Sequence, residues 1–144
     1  MRSVLLPVDG SKHAFAAALY VIEFAKLHGP LEVHVVNVEP APVAWQTHGM
    51  EEEAIQSHLT ARAHIALKPV LNALNEAGIG HKTYVRQGDI AEIVVGLAEE
   101  LGCDSIVMGT RGLGGLAALA LGSVTRKVLH LATKPVVCVK AEND

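Results

Sequence analysis

Gly109, Gly112, Gly122 and Ser123 are the residues whose types and spacing point to chemistry. Gly109-x-x-Gly112 follows a short apolar run, nine residues intervene, and Gly122-Ser123-Val124-Thr125 opens a helical pattern. A strand, a glycine-broken loop and a helix start are the parts of an anion site. The first N–H groups of a helix have no partner within it, and its dipole favours negative charge. Glycines at 109 and 112 would let the backbone turn with positive φ and come close to a ligand. Gly122 and Ser123 would offer an unobstructed N–H row and a hydroxyl. Val124 and Thr125 would add two N–H groups and a second hydroxyl. The chemistry implied is the holding of phosphate. The plainer reading is loop punctuation before an ordinary serine cap. Asp9, after the first apolar run, also has two readings: a ligand contact, or a carboxylate that satisfies backbone donors before Gly10-Ser11.

Catalytic patterns are not found. No Walker A lysine follows the glycines, and neither His-x-Gly-His nor Ser-Gly-Gly-x-Asp-Ser occurs. Asp9 is the single candidate for a general base. Gly-x-Gly-x-x-Gly is absent after the first strand, where only Gly10 stands, so a nicotinamide dinucleotide is not expected. The eight histidines contain no i,i+4 clamp, and His34 alternates with valines as a packed residue would, so no metal site is expected. Cys103 and Cys138 have no metal spacing and read as reduced thiols.

The elements that must position these residues follow from composition and periodicity. A chain of 144 residues fits one domain over 1–144. Half of it is hydrophobic and 19% is charged, enough for a full core. With one Trp, two Tyr and two Phe, that core must be aliphatic. A net charge of −3 argues against a nucleic-acid partner. No apolar run reaches membrane-spanning length, and the opening run before Asp9 is too short for a signal peptide, so a cytoplasmic protein is expected.

Residues 3–8 read as a strand buried on both faces, with Pro7 near its end, where a lost N–H matters less. Ser11 caps a helix to about His28 that Gly29-Pro30 ends. Residues 31–38 form the second strand, and 41–50 lack periodicity. Glu51, Glu52 and Glu53 suit the first turn of a second helix, with Leu59, Ala63, Leu67, Val70 and Leu74 as its stripe and Pro69 as a bend. Residues 81–87 form a weaker strand expected near a sheet edge. Asp89 and Glu92 form a capping-box-like pair ahead of Ile90, Ile93, Val94, Leu97 and Leu101. A strand at 106–108, a helix over 123–132 and a strand at 136–139 complete the chain. Strict β-α alternation implies an α/β fold, a single doubly wound five-stranded parallel sheet with helices on both faces. In strand order 3-2-1-4-5 the winding reverses between strands one and four, which places Asp9 beside Gly109 at the ligand-binding end.

The spacing Gly109-x-x-Gly112, nine residues, Gly122-Ser123 resembles the nucleotide signature of the universal stress protein family. Residues 4–11, Gln87-Gly88-Asp89 and residues 134–139 resemble its opening strand, third helix start and closing strand. The resemblance implies a Rossmann-like, adenine nucleotide alpha hydrolase-like fold and the ATP-binding class of the family. It implies ATP, or ADP or AMP, held with Mg²⁺. Pro7, Val8 and Asp9 would lie at adenine and ribose, Val38 at adenine, and Met108 and Gly109 at ribose. Arg111, Gly112, Gly122, Ser123, Val124 and Thr125 would face the phosphates. Residues 113–121 carry no Lys or Arg, which leaves Arg111 as the local cation and Mg²⁺ as a further source of charge. The implied protein is a non-enzymatic, nucleotide-dependent regulator in stress response and a cytoplasmic homodimer. Strand 136–139 is the plausible dimer edge, and the uncharged 113–121 segment is a second candidate contact surface. A weak ATP hydrolase or another nucleotide-dependent enzyme of the same fold is the alternative.

Overall fold

Short runs of Val, Leu and Ile form three central strands that are buried on both faces, as a parallel sheet requires. The computed structural model describes residues 1–43, 48–111 and 121–142. Within them the order is β1 (Ser3–Pro7), α1 (Lys12–His28), β2 (Glu32–Glu39), α2 (Glu52–Glu76), β3 (His81–Gln87), α3 (Ile90–Glu100), β4 (Ser105–Gly109), α4 (Ser123–Leu131) and β5 (Val136–Val139). The sheet is parallel throughout, in the order β3-β2-β1-β4-β5. The two edge strands are the partly exposed ones, β3 and β5.

Each face of the sheet has its own core. Leu6, Val33, Val35 and Val107 pack under Ala14, Ala17, Ala18 and Val21 of α1 and Leu67, Val70 and Leu74 of α2. Leu5, Val36, Ile106 and Met108 pack under Ala91, Val94 and Leu97 of α3 and Val128 of α4. Alanine dominates where α1 approaches the sheet, because a small side chain lets a helix sit close. The first three helices end where a glycine supplies a positive-φ residue. Gly29 (φ 93°) caps α1, and Gly78 and Gly102 (φ 71° and 69°) follow α2 and α3. Pro69 sits inside α2, which continues through it. Element ends fall within a residue of the sequence reading: β1 stops at Pro7, β2 includes Glu39, and α4 stops at Leu131. The segment 41–50 is described only in part.

The ladders are unequal. β1 pairs with β2 from Ser3–Glu32 to Pro7–Val36, and β2 with β3 from Val33–His81 to Glu39–Gln87. β4 pairs with β5 from Ile106–Val136 to Gly109–Val139. Between β1 and β4 the pairing covers only Val4–Ser105 and Leu5–Ile106. Val8 donates its N–H to Val36 O at 2.8 Å, on the β2 side. Successive amides of a strand point to opposite sides, so the Pro7 nitrogen faces β4 and has no hydrogen to give. The lost N–H, which seemed of little consequence in the sequence, lies where the β1–β4 ladder stops.

Candidate functional site

A cleft of ≈ 80 Å³ lies beyond that break, at the carboxyl ends of β1 and β4 where the winding reverses. Pro7, Val8 and Asp9 line it from the β1–α1 turn, Val38 from β2, and Met108, Gly109 and Arg111 from the end of β4. Val124 and Thr125 line it from the first turn of α4. Nine sequence-predicted residues therefore meet at one place. Gly122 and Ser123 immediately precede Val124 at the same helix start, and Gly112 lies outside the described residues. Ser11, Ala14, Val36 and Ile90 complete the lining and were not anticipated. Val36 was legible in principle, since it shares a face of β2 with Val38 at the two-residue period.

The β1–α1 turn holds itself rigidly. Asp9 Oδ1 accepts the Ser11 N–H at 2.9 Å, and Ser11 Oγ accepts the Ala14 N–H at 3.2 Å. Asp9 thus does what the plainer reading assigned to it and also faces the cleft. Gly10 has φ 90°, and a Cβ on it would stand 3.4 Å from Ala66 Cα of α2, so the left-handed residue of this site is Gly10.

Gly109 corrects the sequence reading. It is the last residue of β4 and is not among the positive-φ glycines. A Cβ on it would stand 2.6 Å from His13 Cβ, 2.7 Å from the His13 carbonyl carbon and 2.9 Å from Ala14 N. Gly109 is small because the start of α1 lies on it.

The start of α4 departs from a serine cap. Gly122 is the N-cap (φ −63°, ψ 157°), and no side chain caps the helix. Gly122 donates its own N–H to Thr110 O at 2.8 Å, and Arg126 N–H closes the first turn on Gly122 O at 3.0 Å. The N–H groups of Ser123, Val124 and Thr125 come before that closure and have no carbonyl within the helix to bond. Thr125 is buried, and its hydroxyl donates to Gly109 O at 3.0 Å. Its proton is thus committed to tying α4 to β4, a second correction to the expected row of hydroxyls.

Arg111 is only 8% exposed at the cleft wall. His13 is a residue that sequence reasoning missed. It is buried, and its Nδ1 accepts the Ala141 N–H at 3.0 Å with Thr110 Oγ1 at 3.5 Å. Burial, and then the charges of Arg111 and Lys12, hold its pKa below the ordinary imidazole value. Its only sequence signal was a position two residues after the Ser11 cap. Among the described residues no cluster of three His, Cys, Asp or Glu could hold a metal ion. His34 is buried, between Tyr84 Oη (2.9 Å) and Glu32 Oε1 (2.7 Å). Among the described residues no helix is long and apolar enough to cross a membrane.

A second cavity, of ≈ 380 Å³, lies beside the Glu39–Arg62 ion pair (3.4 Å) between the end of β2 and α2. Pro40, Pro42, Met50, Ile55 and Leu59 give it a mainly apolar wall.

Residues 1–140 match the family model described as the Universal stress protein family. Universal stress protein YxiE of Bacillus subtilis is 40% identical over 147 residues, covering 96% of this chain and 99% of that protein. The solved structure of MJ0577, a universal stress protein of Methanocaldococcus jannaschii, is similar with a TM-score of 0.84 at 30% identity. That match covers 99% of this chain and 98% of the other. A universal stress protein of Archaeoglobus fulgidus, solved in complex with dAMP, matches with a TM-score of 0.69 at 25% identity over 97% and 98% of the two chains.

Proposed function

This chain belongs to the universal stress protein family, and from that premise we propose that it is a nucleotide-dependent regulator. It binds ATP, or ADP or AMP, in the cleft between β1 and β4 and does not turn it over at enzymatic rates. The observation that carries this reading is the uncapped start of α4 across the switch point from Asp9. Three N–H groups with no intrahelical partner, backed by the helix dipole and by Arg111, suit a phosphate. The dAMP held by the Archaeoglobus protein supports an adenine nucleotide as the ligand class.

In this reading Pro7, Val8 and Val38 form the apolar seat of the base, with Val36 and Ile90 beside them. Asp9 accepts hydrogen bonds from the ribose hydroxyls, and Met108 and Gly109 border the sugar. Arg111, Gly112, Gly122, Ser123 and Val124 surround the phosphates. Thr125 positions that helix start through Gly109. Among the described lining residues Asp9 is the single carboxylate. A Mg²⁺ arriving with the nucleotide would therefore be held mainly by phosphate and water oxygens, which suits its chemistry. The protein works in the cytoplasm as a homodimer joined along β5, a short edge strand.

Titration calorimetry with MgATP and MgADP, together with mass spectrometry of copurifying nucleotide, tests the reading. Binding is expected for both ligands. Absence of heat, thermal shift and copurifying nucleotide would sink it. ATP turnover near about 1 s⁻¹ or faster would replace it with an enzymatic role.

A further inference from the structure

His13 stands where three segments of the chain meet. It belongs to the first turn of α1, and its Nδ1 takes the Ala141 N–H beyond the end of β5. Thr110, at the end of β4, approaches the same nitrogen with its hydroxyl. Thr110 also donates its N–H to Val139 O at 2.9 Å and accepts the Gly122 N–H at 2.8 Å. The bond from Ala141 needs a lone pair on Nδ1, so the ring is neutral and carries its hydrogen on Nε2.

One basic residue flanks each arm of this junction. Lys12 precedes His13, Arg111 follows Thr110, and Lys140 precedes Ala141. The hydrogen bonds that join the segments therefore gather three cations, with Asp9 as the opposing carboxylate. All four charges act on the His13 ring, the three cations lowering its pKa and Asp9 raising it. Arg111 is buried in the cleft wall, whereas Lys12 and Lys140 are exposed. Lys127, farther along α4, is engaged by Asp89 at 2.8 Å. Residues 113–121 contain no cation, so charge for a longer phosphate chain has to come from outside that segment.

We propose that Lys12 and Lys140, brought beside Arg111 by the His13 junction, contact the second and third phosphates and make the site prefer nucleoside di- and triphosphates over monophosphates. The proposal rests on the reading of the cleft as a nucleotide site. Ammonium groups on flexible stems suit phosphates at the solvent end of a ligand, where a point charge matters more than a fixed fork. A monophosphate would be held by the start of α4 and Arg111 alone.

The test is calorimetric titration of ATP, ADP and AMP into the wild-type protein and Lys12→Gln/Lys140→Gln, at one low ionic strength. Lys134→Gln serves as a single-charge control, because it neutralises a lysine at the opposite end of β5. Wild type is expected to bind ATP more tightly than AMP. The double variant should lose about tenfold in ATP affinity, the scale of one to two charge-assisted contacts, with AMP affinity and melting temperature unchanged. Lys134→Gln should match wild type. Unchanged ATP affinity in the double variant, or equal losses for ATP and AMP, would overturn the proposal. Wild-type protein that binds AMP as tightly as ATP overturns it too and leaves the nucleotide site standing. Protein that binds none of the three overturns both.

Discussion

Neighbouring helices α3 and α4 begin in opposite ways. At α3 the Asp89 carboxylate accepts the Glu92 N–H at 3.0 Å through one oxygen and meets Lys127 Nζ at 2.8 Å through the other. Those bonds hold Asp89 below the usual carboxylate pKa, the Lys127 bond most of all. At α4 the equivalent position is Gly122, with no side chain to offer. A glycine N-cap is only a few tenths of a kcal/mol worse than Asp or Ser, so an open start sacrifices little stability. One helix spends a carboxylate to close its N-terminus, and its neighbour leaves the same groups to something from outside the chain. The first helix sides with α3, through Ser11 and Asp9. The helix α2 also begins without a side-chain cap, at Glu51, but none of its residues lines the cleft, so α4 is the start that brings uncapped N–H groups to the site.

The comparison can be broken by altering what holds the starts in place. Gly109→Ala puts a methyl group against the backbone of His13 and Ala14, which is less yielding than a side-chain tip. It is expected to cost about 3 kcal/mol, measured by urea unfolding. A loss under about 0.5 kcal/mol, the scale of an ordinary surface change, would show that α1 is not seated on β4. Gly122→Asp gives α4 the start that α3 has. It should weaken nucleotide binding about a hundredfold, or about 2.7 kcal/mol, while the melting temperature holds or rises slightly. Undiminished affinity would mean that the open start is not the phosphate seat. The reverse operation is milder. Asp89→Ala should lower the melting temperature through loss of the cap and leave nucleotide affinity as it was. A parallel loss of affinity would show that the two starts are not separable.

The smallest effect is a pH dependence. His13 has a folded pKa below its unfolded value of 6.5, so the unfolded chain binds the proton more readily. Its contribution to stability is fully present above pH 6.5 and is lost as the pH falls through the folded pKa. Asn at position 13 keeps an acceptor for the Ala141 N–H and cannot titrate. Wild type should therefore lose stability below pH 6.5 more steeply than His13→Asn in denaturant unfolding at stepped pH. Parallel slopes would remove His13 as the titrating group.

Period and punctuation carried most of the fold. The valines of β2, the apolar stripes of the helices, and Gly29, Gly78 and Gly102 are local signals, each readable from a few neighbours. Alternation then gave a parallel sheet, and the expected order 3-2-1-4-5 brought Asp9 to Gly109. Features that depend on residues far apart in the chain escaped. Gly109 looked like a glycine needed for positive φ because the neighbour that keeps it small, His13, lies almost a hundred positions earlier. Thr125 looked like a phosphate hydroxyl because nothing in its surroundings announces the Gly109 carbonyl. Pro7 was recognised as a strand end, but which ladder it ends depends on which way its nitrogen faces. The plainer reading made Ser123 the cap because serine is a favoured residue there, whereas the helix already includes Ser123 and its cap is Gly122.

The bond between Thr110 and Gly122 has an evolutionary consequence. It brings the two ends of 111–121 together at a point that β5 also holds, through Val139. A chain that leaves and returns at one place can change its length and composition without moving the scaffold beneath it. Doubling such a loop adds only about 0.6 kcal/mol of closure entropy. Descendants of this sequence can therefore change the length and composition of 113–121 while the fold beneath is inherited intact.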